Sequence, residues 1–272
     1  MINFPNIKIN IGLNVIKKRT DGYHNIESVF YPVKSYCDCI EIIHAEKFDF
    51  QIIGEKIPGR KNNNLIYRAY HLLKKRYHIP EVKIVLLKNI PTGAGLGGGS
   101  SDGTFTLKLL NDLFTLNLSN PELHELSLEL GSDCPFFLDN RPFIVRGRGE
   151  ILEPINLNLQ KYFITIITPP YLISTAEAYS YITPTKPDFN LKDIIDLPIE
   201  EWQKHIINDF ECYIGNKFPE IIGIKQQLYS KGAFFASVSG SGSSVFGLSE
   251  TEINKDGFPV NYKIWQGKMG SA

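Results

Sequence analysis

The sequence predicts an α+β protein built as two lobes. Segments of two-residue hydrophobic alternation and segments of 3.6-residue rhythm are interspersed along the chain. A length of 272 residues at 43% hydrophobic content is ample for a sizeable core. Near Arg148 to Pro154 the pattern lapses into a polar connection, which divides the chain into an N-terminal lobe, 1–154, and a C-terminal lobe, 155–272.

The first strand is the clearest element. Ile7, Ile9, Ile11, Leu13 and Val15 alternate with Lys8, Asn10, Gly12 and Asn14, which predicts one apolar and one polar face. Asp21-Gly22 in "TDGYH" signals a hairpin turn, and "NIESVFYPV" follows as the returning strand. "CIEIIHA" reads as another strand. Between Asn64 and Tyr77, apolar side chains at Leu65, Ile66, Ala69, Leu72 and Leu73 keep helical spacing. "VKIVLL" is again a strand, leading through Ile90-Pro91 into "PTGAGLGGGSSDG". Phe105, Leu109, Leu110, Leu113 and Phe114 then recur at helical spacing, so the glycines sit at a helix N-terminus. From Tyr162 onward the pattern is strand, helices, then strands around "FFASVSGSGSSVFGL".

Composition narrows the function. Net charge is zero and the pI near 7, so no global field would hold a nucleic-acid backbone or an anionic membrane. The N-terminal stretch lacks the charged head and apolar run of a signal peptide, and a soluble, cytoplasmic protein is expected. Cys37, Cys39, Cys134 and Cys212 form no CxxC pair, which predicts reduced and mostly buried thiols without a metal.

Consecutive glycines at a helix start let an anion approach backbone N–H groups that have no helical partner and carry partial positive charge. Phosphate is the natural occupant. Gly93, Gly95 and Gly98 also satisfy G-x-G-x-x-G, but a dinucleotide fold would want an acid ending a second strand, and none follows. A Walker A loop is excluded because no Lys-Ser/Thr follows the last glycine. A flexible linker is the bland alternative. The second cluster, Ser237 to Ser244, either walls the same site or turns a hairpin. Phosphoryl transfer also needs charge neutralisation and a carboxylate for the acceptor's proton. Lys8 and Asp133 in "GSDCPFF" are the candidates, against a solvated lysine and a turn-capping aspartate.

"NIKINIGL" with "DGYHNIESVF", "PTGAGLGGGSSDGTFTLKLLN", "GSDCPFF" and "VSGSGSSVF", in this order, resemble the successive motifs of the GHMP small-molecule kinases. The resemblance runs from Pro5 to about Leu248. "DGYH" and "AGLGGGSSD" point to the branch that phosphorylates a cytidine-diphosphate-linked sugar alcohol for isoprenoid precursor synthesis. It implies an N-terminal lobe like the second domain of ribosomal protein S5, a ferredoxin-like C-terminal lobe, ATP as co-substrate and Mg²⁺ with it.

By motif position the resemblance makes Asp133 the catalytic base and Lys8 its partner. ATP would meet Pro91, Gly93, Ala94, Gly95, Leu96, Gly97, Gly98, Gly99, Ser100 and Ser101, with Lys88, Asn64 and Leu65 near the adenine. Asn10, Tyr23, His24, Thr175 and Tyr179 would meet the cytidine substrate, Tyr23 and Tyr179 by stacking. A lysine ~4 Å from Asp133 offers up to ~4 kcal/mol of Coulomb energy at an effective dielectric of 20, enough to keep the carboxylate ionised beside a triphosphate. The chain departs from the family at Ile7, where a small alanine is usual, and at Gly103-Thr104, where Ala-Ala is common. Rival readings are a homoserine- or mevalonate-type kinase, a nucleotide-binding regulator without transfer activity, and an RNA-binding module, the last disfavoured by the neutral charge.

Overall fold

A computed structural model describes residues 1–270; Ser271 and Ala272, at the end of the lobe expected over 155–272, lie outside the described residues. In chain order the strands are β1 (Ile2–Asn3), β2 (Asn6–Lys18), β3 (His24–Cys37), β4 (Cys39–His44), β5 (Asp49–Gly54), β6 (Val82–Lys88), β7 (Phe143–Gly147), β8 (Ile151–Pro154), β9 (Phe163–Thr168), β10 (Phe235–Val238), β11 (Val245–Ser249) and β12 (Lys263–Lys268). The α-helices are α1 (Leu65–Tyr77), α2 (Gly98–Leu113), α3 (Asn120–Leu130), α4 (Phe136–Asp139), α5 (Thr175–Ser180), α6 (Trp202–His205), α7 (Phe210–Lys217) and α8 (Pro219–Ser230). Two compact units form, each assembled from separate stretches: Met1–Ile7, Cys37–Thr92 and Gly97–Arg141 in one, Lys8–Tyr36, Gly93–Leu96 and everything from Pro142 in the other.

The first unit is a sheet of order β1-β4-β6-β5 with helices packed on it. β4 and β6 run antiparallel with Ile42 opposite Ile84, whereas β5 runs parallel to β6. Alternation sorts the side chains: Ile40, Ile42, Ile84 and Leu86 are buried, while Ile43, Ile53 and Leu87 face outward. The buried set packs with Ile66, Ala69, Tyr70 and Leu73 of α1 and with Leu107, Leu109 and Leu110 of α2. Asn64 caps α1, its side-chain oxygen accepting from Ile66 N at 2.8 Å.

The second unit has two sheets, β2-β3-β7-β8 and β10-β11-β9-β12. They share one core. Leu13, Val15 and Ile26 of the first sheet meet Ile167, Val238 and Val245 of the second, with Phe210 and Ile214 of α7 and Ile224 and Leu228 of α8. The TDGYH turn joins β2 to β3 as expected, Arg19 N donating to Tyr23 O at 2.8 Å.

The polar face of β2 is buried, against the alternative of a solvated lysine: Lys8, Asn10 and Asn14 are 4%, 1% and 4% exposed. One expectation needs correcting: the cysteines are not mostly buried, since Cys134 alone is; Cys37 and Cys39 are half-buried, Cys212 is exposed, and none is in a disulfide. No helix among the described residues is long and apolar enough to cross a membrane.

At Gly103 a Cβ would lie 2.8 Å from Leu65 Cβ, so α1 and α2 are in contact at the glycine's bare surface. Gly103→Ala sets two effects against each other. Helix propensity gains up to ~1 kcal/mol, but overpacking a tight contact costs about 1–3 kcal/mol. We expect the overpacking to outweigh the propensity and thermal unfolding to show a lowered Tm; a raised Tm would mean that α1 yields at this point.

Candidate active site

The buried polar residues of β2 are tied together. Lys8 Nζ donates to Asn10 Oδ1 at 2.5 Å and sits 4.2 Å from the centroid of the Phe30 ring. Asn10 Nδ2 donates to Ser28 Oγ at 3.0 Å, and that hydroxyl donates to Gly12 O at 2.6 Å. Burying an ammonium costs several kcal/mol even after relaxation, which an amide oxygen and a π face offset in part. The sequence expectation that Lys8 and Asn10 share a face therefore holds, at closer range than alternation alone requires.

The first part of the glycine loop packs beside them in the second unit. Lys8 N donates to Leu96 O at 3.0 Å, Ser244 N donates to Ala94 O at 3.1 Å, and Ser239 Oγ donates to Gly95 O at 2.9 Å. Ser239 Oγ in turn accepts from Asn10 N at 3.3 Å. The serine-glycine stretch between β10 and β11 is thus a hairpin turn that also fastens Gly93–Leu96. Gly95 has φ of +79°, and a Cβ there would fall 1.9 Å from Ser239 O. No side chain fits that approach.

The second part of the loop opens α2 in the first unit. Gly97 is the N-cap in the left-handed region with φ of 72°, and no side chain caps the helix. Ser101 N donates to Gly97 O at 2.9 Å, so the helical ladder starts there and the N–H groups of Gly98, Gly99 and Ser100 precede it. A Cβ on Gly99 would meet nothing within 4 Å. This is an anion-binding arrangement of amides.

Asp133 is half-buried in the turn between α3 and α4. Cys134 N donates to Gly131 O at 3.1 Å, and Phe136 and Phe137 behind it are fully buried. Thr104 Oγ1 of α2 donates to Cys134 O at 2.9 Å, so a residue that reads in sequence as a mere departure from the family anchors the Asp133 turn. Burial pushes the Cys134 thiol up to about 12, which leaves it without thiolate character.

The Lys88 side chain is 2% exposed, and its ammonium is engaged by Asp38 and Asp102. Burial made this pairing invisible in sequence, where the resemblance implies only a place near the adenine. Asn64 and Leu65 are half-buried; the former caps α1 and the latter abuts Gly103.

At the hairpin end of the second unit, Tyr23 is 55% exposed, with the Arg148 guanidinium 4.8 Å from its ring centroid. Sequence reasoning missed this pair, because nothing in "RGRGE" distinguishes Arg148 from a solvated arginine. Tyr179 is stacked on His24 at 4.7 Å and 11° between planes, and meets Phe210 edge-on at 4.9 Å. A ring expected to stack on cytosine thus lies against the histidine expected to bond the base's edge. Thr175, one helical turn before Tyr179, shares a 2.9 Å hydrogen bond with Ser241 Oγ. Burial, then Lys18, lowers the His24 pKa and favours the neutral imidazole, which both donates and accepts.

Comparison with known proteins adds the family. Residues 64–141 match the GHMP kinases N terminal domain and residues 195–257 the GHMP kinases C terminal domain. The chain belongs to the GHMP kinases and has their two-domain fold. A 4-diphosphocytidyl-2-C-methyl-D-erythritol kinase of Parabacteroides distasonis is 45% identical over 271 residues, 99% of this chain and 100% of the relative. One of Azobacteroides pseudotrichonymphae is 51% identical over 249 residues, 91% and 93% of the two chains. A crystal structure of a 4-(cytidine 5'-diphospho)-2C-methyl-D-erythritol kinase superposes with a TM-score of 0.78 at 31% identity, covering 92% of this chain and 90% of that one. Within the GHMP kinases the chain belongs to the family of these relatives.

The His24 shift can be measured. Because its folded pKa lies below the usual 6.5, its contribution to stability is complete above that value and is lost as pH falls through the lower one. We expect an NMR titration midpoint for His24 below 6.5 that rises in Lys18→Ala; a midpoint at or above 6.5 contradicts the stacked, desolvated ring.

Proposed function

We propose that this chain is a cytoplasmic kinase that transfers the γ-phosphoryl group of ATP to the 2-hydroxyl of 4-diphosphocytidyl-2-C-methyl-D-erythritol, in the non-mevalonate route to isoprenoid precursors. The observation that carries the reading is the end-to-end likeness to relatives of that name, at 45% identity over 99% of this chain. The uncapped amides at the start of α2 and the buried Lys8–Asn10 pair support it from the side of geometry.

In this reading the N–H groups of Gly98, Gly99 and Ser100, at the end of the loop that begins at Pro91, hold the nucleotide's phosphates. Asp133 accepts the proton of the attacking hydroxyl, a role worth roughly 10²- to 10⁴-fold in rate. Lys8 keeps that carboxylate ionised next to the phosphates, and Asn10 fixes the ammonium through its amide oxygen. Mg²⁺ is expected with the nucleotide, where it would supply positive charge opposite the phosphate oxygens. Tyr23 stacks on the cytosine with Arg148 on its ring. His24 bonds the base's edge once its ring leaves Tyr179, which then supplies the second stacking face, with Thr175 as a nearby polar contact.

The decisive assay supplies ATP with the cytidine-linked acceptor, homoserine or mevalonate in parallel. Phosphorylation of the first at a rate at least a hundredfold above the others is expected, and preference for either of the others would replace the reading. Asp133→Ala should lower kcat by about 10²- to 10⁴-fold while the affinity for ATP stays within about twofold. Near-normal turnover would remove Asp133 from the mechanism. Tyr23→Ala should raise KM for the cytidine substrate about tenfold and leave that for ATP unchanged, since base stacking is worth roughly 1–3 kcal/mol. Equal effects on both would point to structural damage instead.

A further inference from the structure

A charge cluster that the proposed reaction does not use lies next to the start of α2. Lys88, the last residue of β6, donates to Asp38 Oδ2 at 2.5 Å and to Asp102 Oδ2 at 2.7 Å, with all three side chains at most 3% exposed. Asp38 accepts further through Oδ1 from Asn89 N at 2.7 Å and Ile90 N at 2.9 Å, the two residues that lead into Pro91. Asp102 stands on the second turn of α2, where its Oδ1 and the adjacent Ser101 Oγ are buried without hydrogen-bond partners. The Lys88 ammonium lies 3.2 Å from where a Cβ on Gly98 would project, beside the first residue of the helix.

Stability is a weak reason for such a cluster. Desolvating buried ions costs several kcal/mol each, and well-packed apolar replacements of buried ion pairs are often as stable or more so. What three charged groups in mutual hydrogen-bond contact do well is fix geometry. Here they join three segments that adjacency in sequence does not: the β3–β4 junction through Asp38, the lead-in to the loop through Lys88, Asn89 and Ile90, and the opening turns of α2 through Asp102. Amide donors are useful to a ligand only if they are pre-aimed to within a fraction of an ångström. Burial raises the Asp102 pKa against the opposing pull of Lys88, and a proton on Asp102 leaves the cluster with no net charge beside an anion site.

We propose that Asp38, Lys88 and Asp102 are positioning residues for the nucleotide: a buried bridge that holds the start of α2 against the loop's lead-in, so that the N–H groups of Gly98, Gly99 and Ser100 address the phosphates of ATP. The proposal rests on the reading of this loop as the ATP site. Asp102→Asn keeps the shape and one oxygen acceptor for Lys88, whereas Asp102→Leu keeps the bulk and loses the bond.

The test is titration calorimetry on the full chain, with a non-hydrolysable ATP analogue and, separately, cytidine diphosphate. The asparagine variant should bind the ATP analogue within twofold of the unaltered chain. The leucine variant should bind it at least tenfold more weakly, with cytidine diphosphate affinity unchanged. An unaltered affinity in the leucine variant, an equal loss for both ligands, or an asparagine variant as weak as the leucine one would each overturn the bridge. If the leucine variant does not fold, Asp102→Ser is judged by the same criteria. An unaltered chain that binds the analogue but fails to phosphorylate the cytidine-linked acceptor sinks the function proposed above and leaves the bridge standing.

Discussion

The start of α2 carries no side-chain cap, and much of the structure around it answers to that fact. A helix leaves its first amides without internal partners, and a Ser, Thr, Asp or Asn in the N-cap position would satisfy one of them. Here Gly97 takes that position in a left-handed conformation with nothing to offer, and Gly98 and Gly99 follow without side chains. The donors are therefore left without a side-chain acceptor, and the backbone that carries them needs holding by other means.

That holding is done by neighbours remote in sequence. Asp38 accepts the N–H groups just ahead of the loop, Lys88 carries the constraint to Asp102 on the helix, and Thr104 extends it to the turn bearing Asp133. In the second unit, Ser239 holds Gly95 through its hydroxyl and Ser244 holds Ala94 through its backbone N–H. Gly95 must approach Ser239 closely for this, which only a residue without a Cβ can do. The loop is rich in glycine yet anchored at several points along its length.

Much of this was legible from residue patterns. The alternation of β2, the Asp21-Gly22 turn, the periodicity of α1 and the placement of glycines at the start of α2 all rest on local rules, and all appear where those rules put them. Strands β1, β5, β7, β8 and β12 escaped notice, and β8 occupies part of the Arg148 to Pro154 stretch that reads as a polar connection. None of the five exceeds six residues, so alternation is too short to mark a strand clearly. The polar face of β2 was visible but its burial was not, because a Lys-Asn alternation looks the same whether water or another segment covers it. The pairing of Lys88 was hidden for the same reason: its partners, Asp38 and Asp102, lie on other elements.

The sequence by itself determined the main element types, the place of the glycine stretch at a helix start and the kinase family, since propensity, periodicity and motif order are properties of the chain read along its length. Only the tertiary structure decided which polar groups are buried, which charges meet, and that β2 and β3 join the C-terminal part of the chain in one compact unit. Those outcomes depend on distances between residues far apart in sequence. No local rule of backbone geometry or side-chain preference encodes such distances; packing sets them when the whole chain closes on its cores.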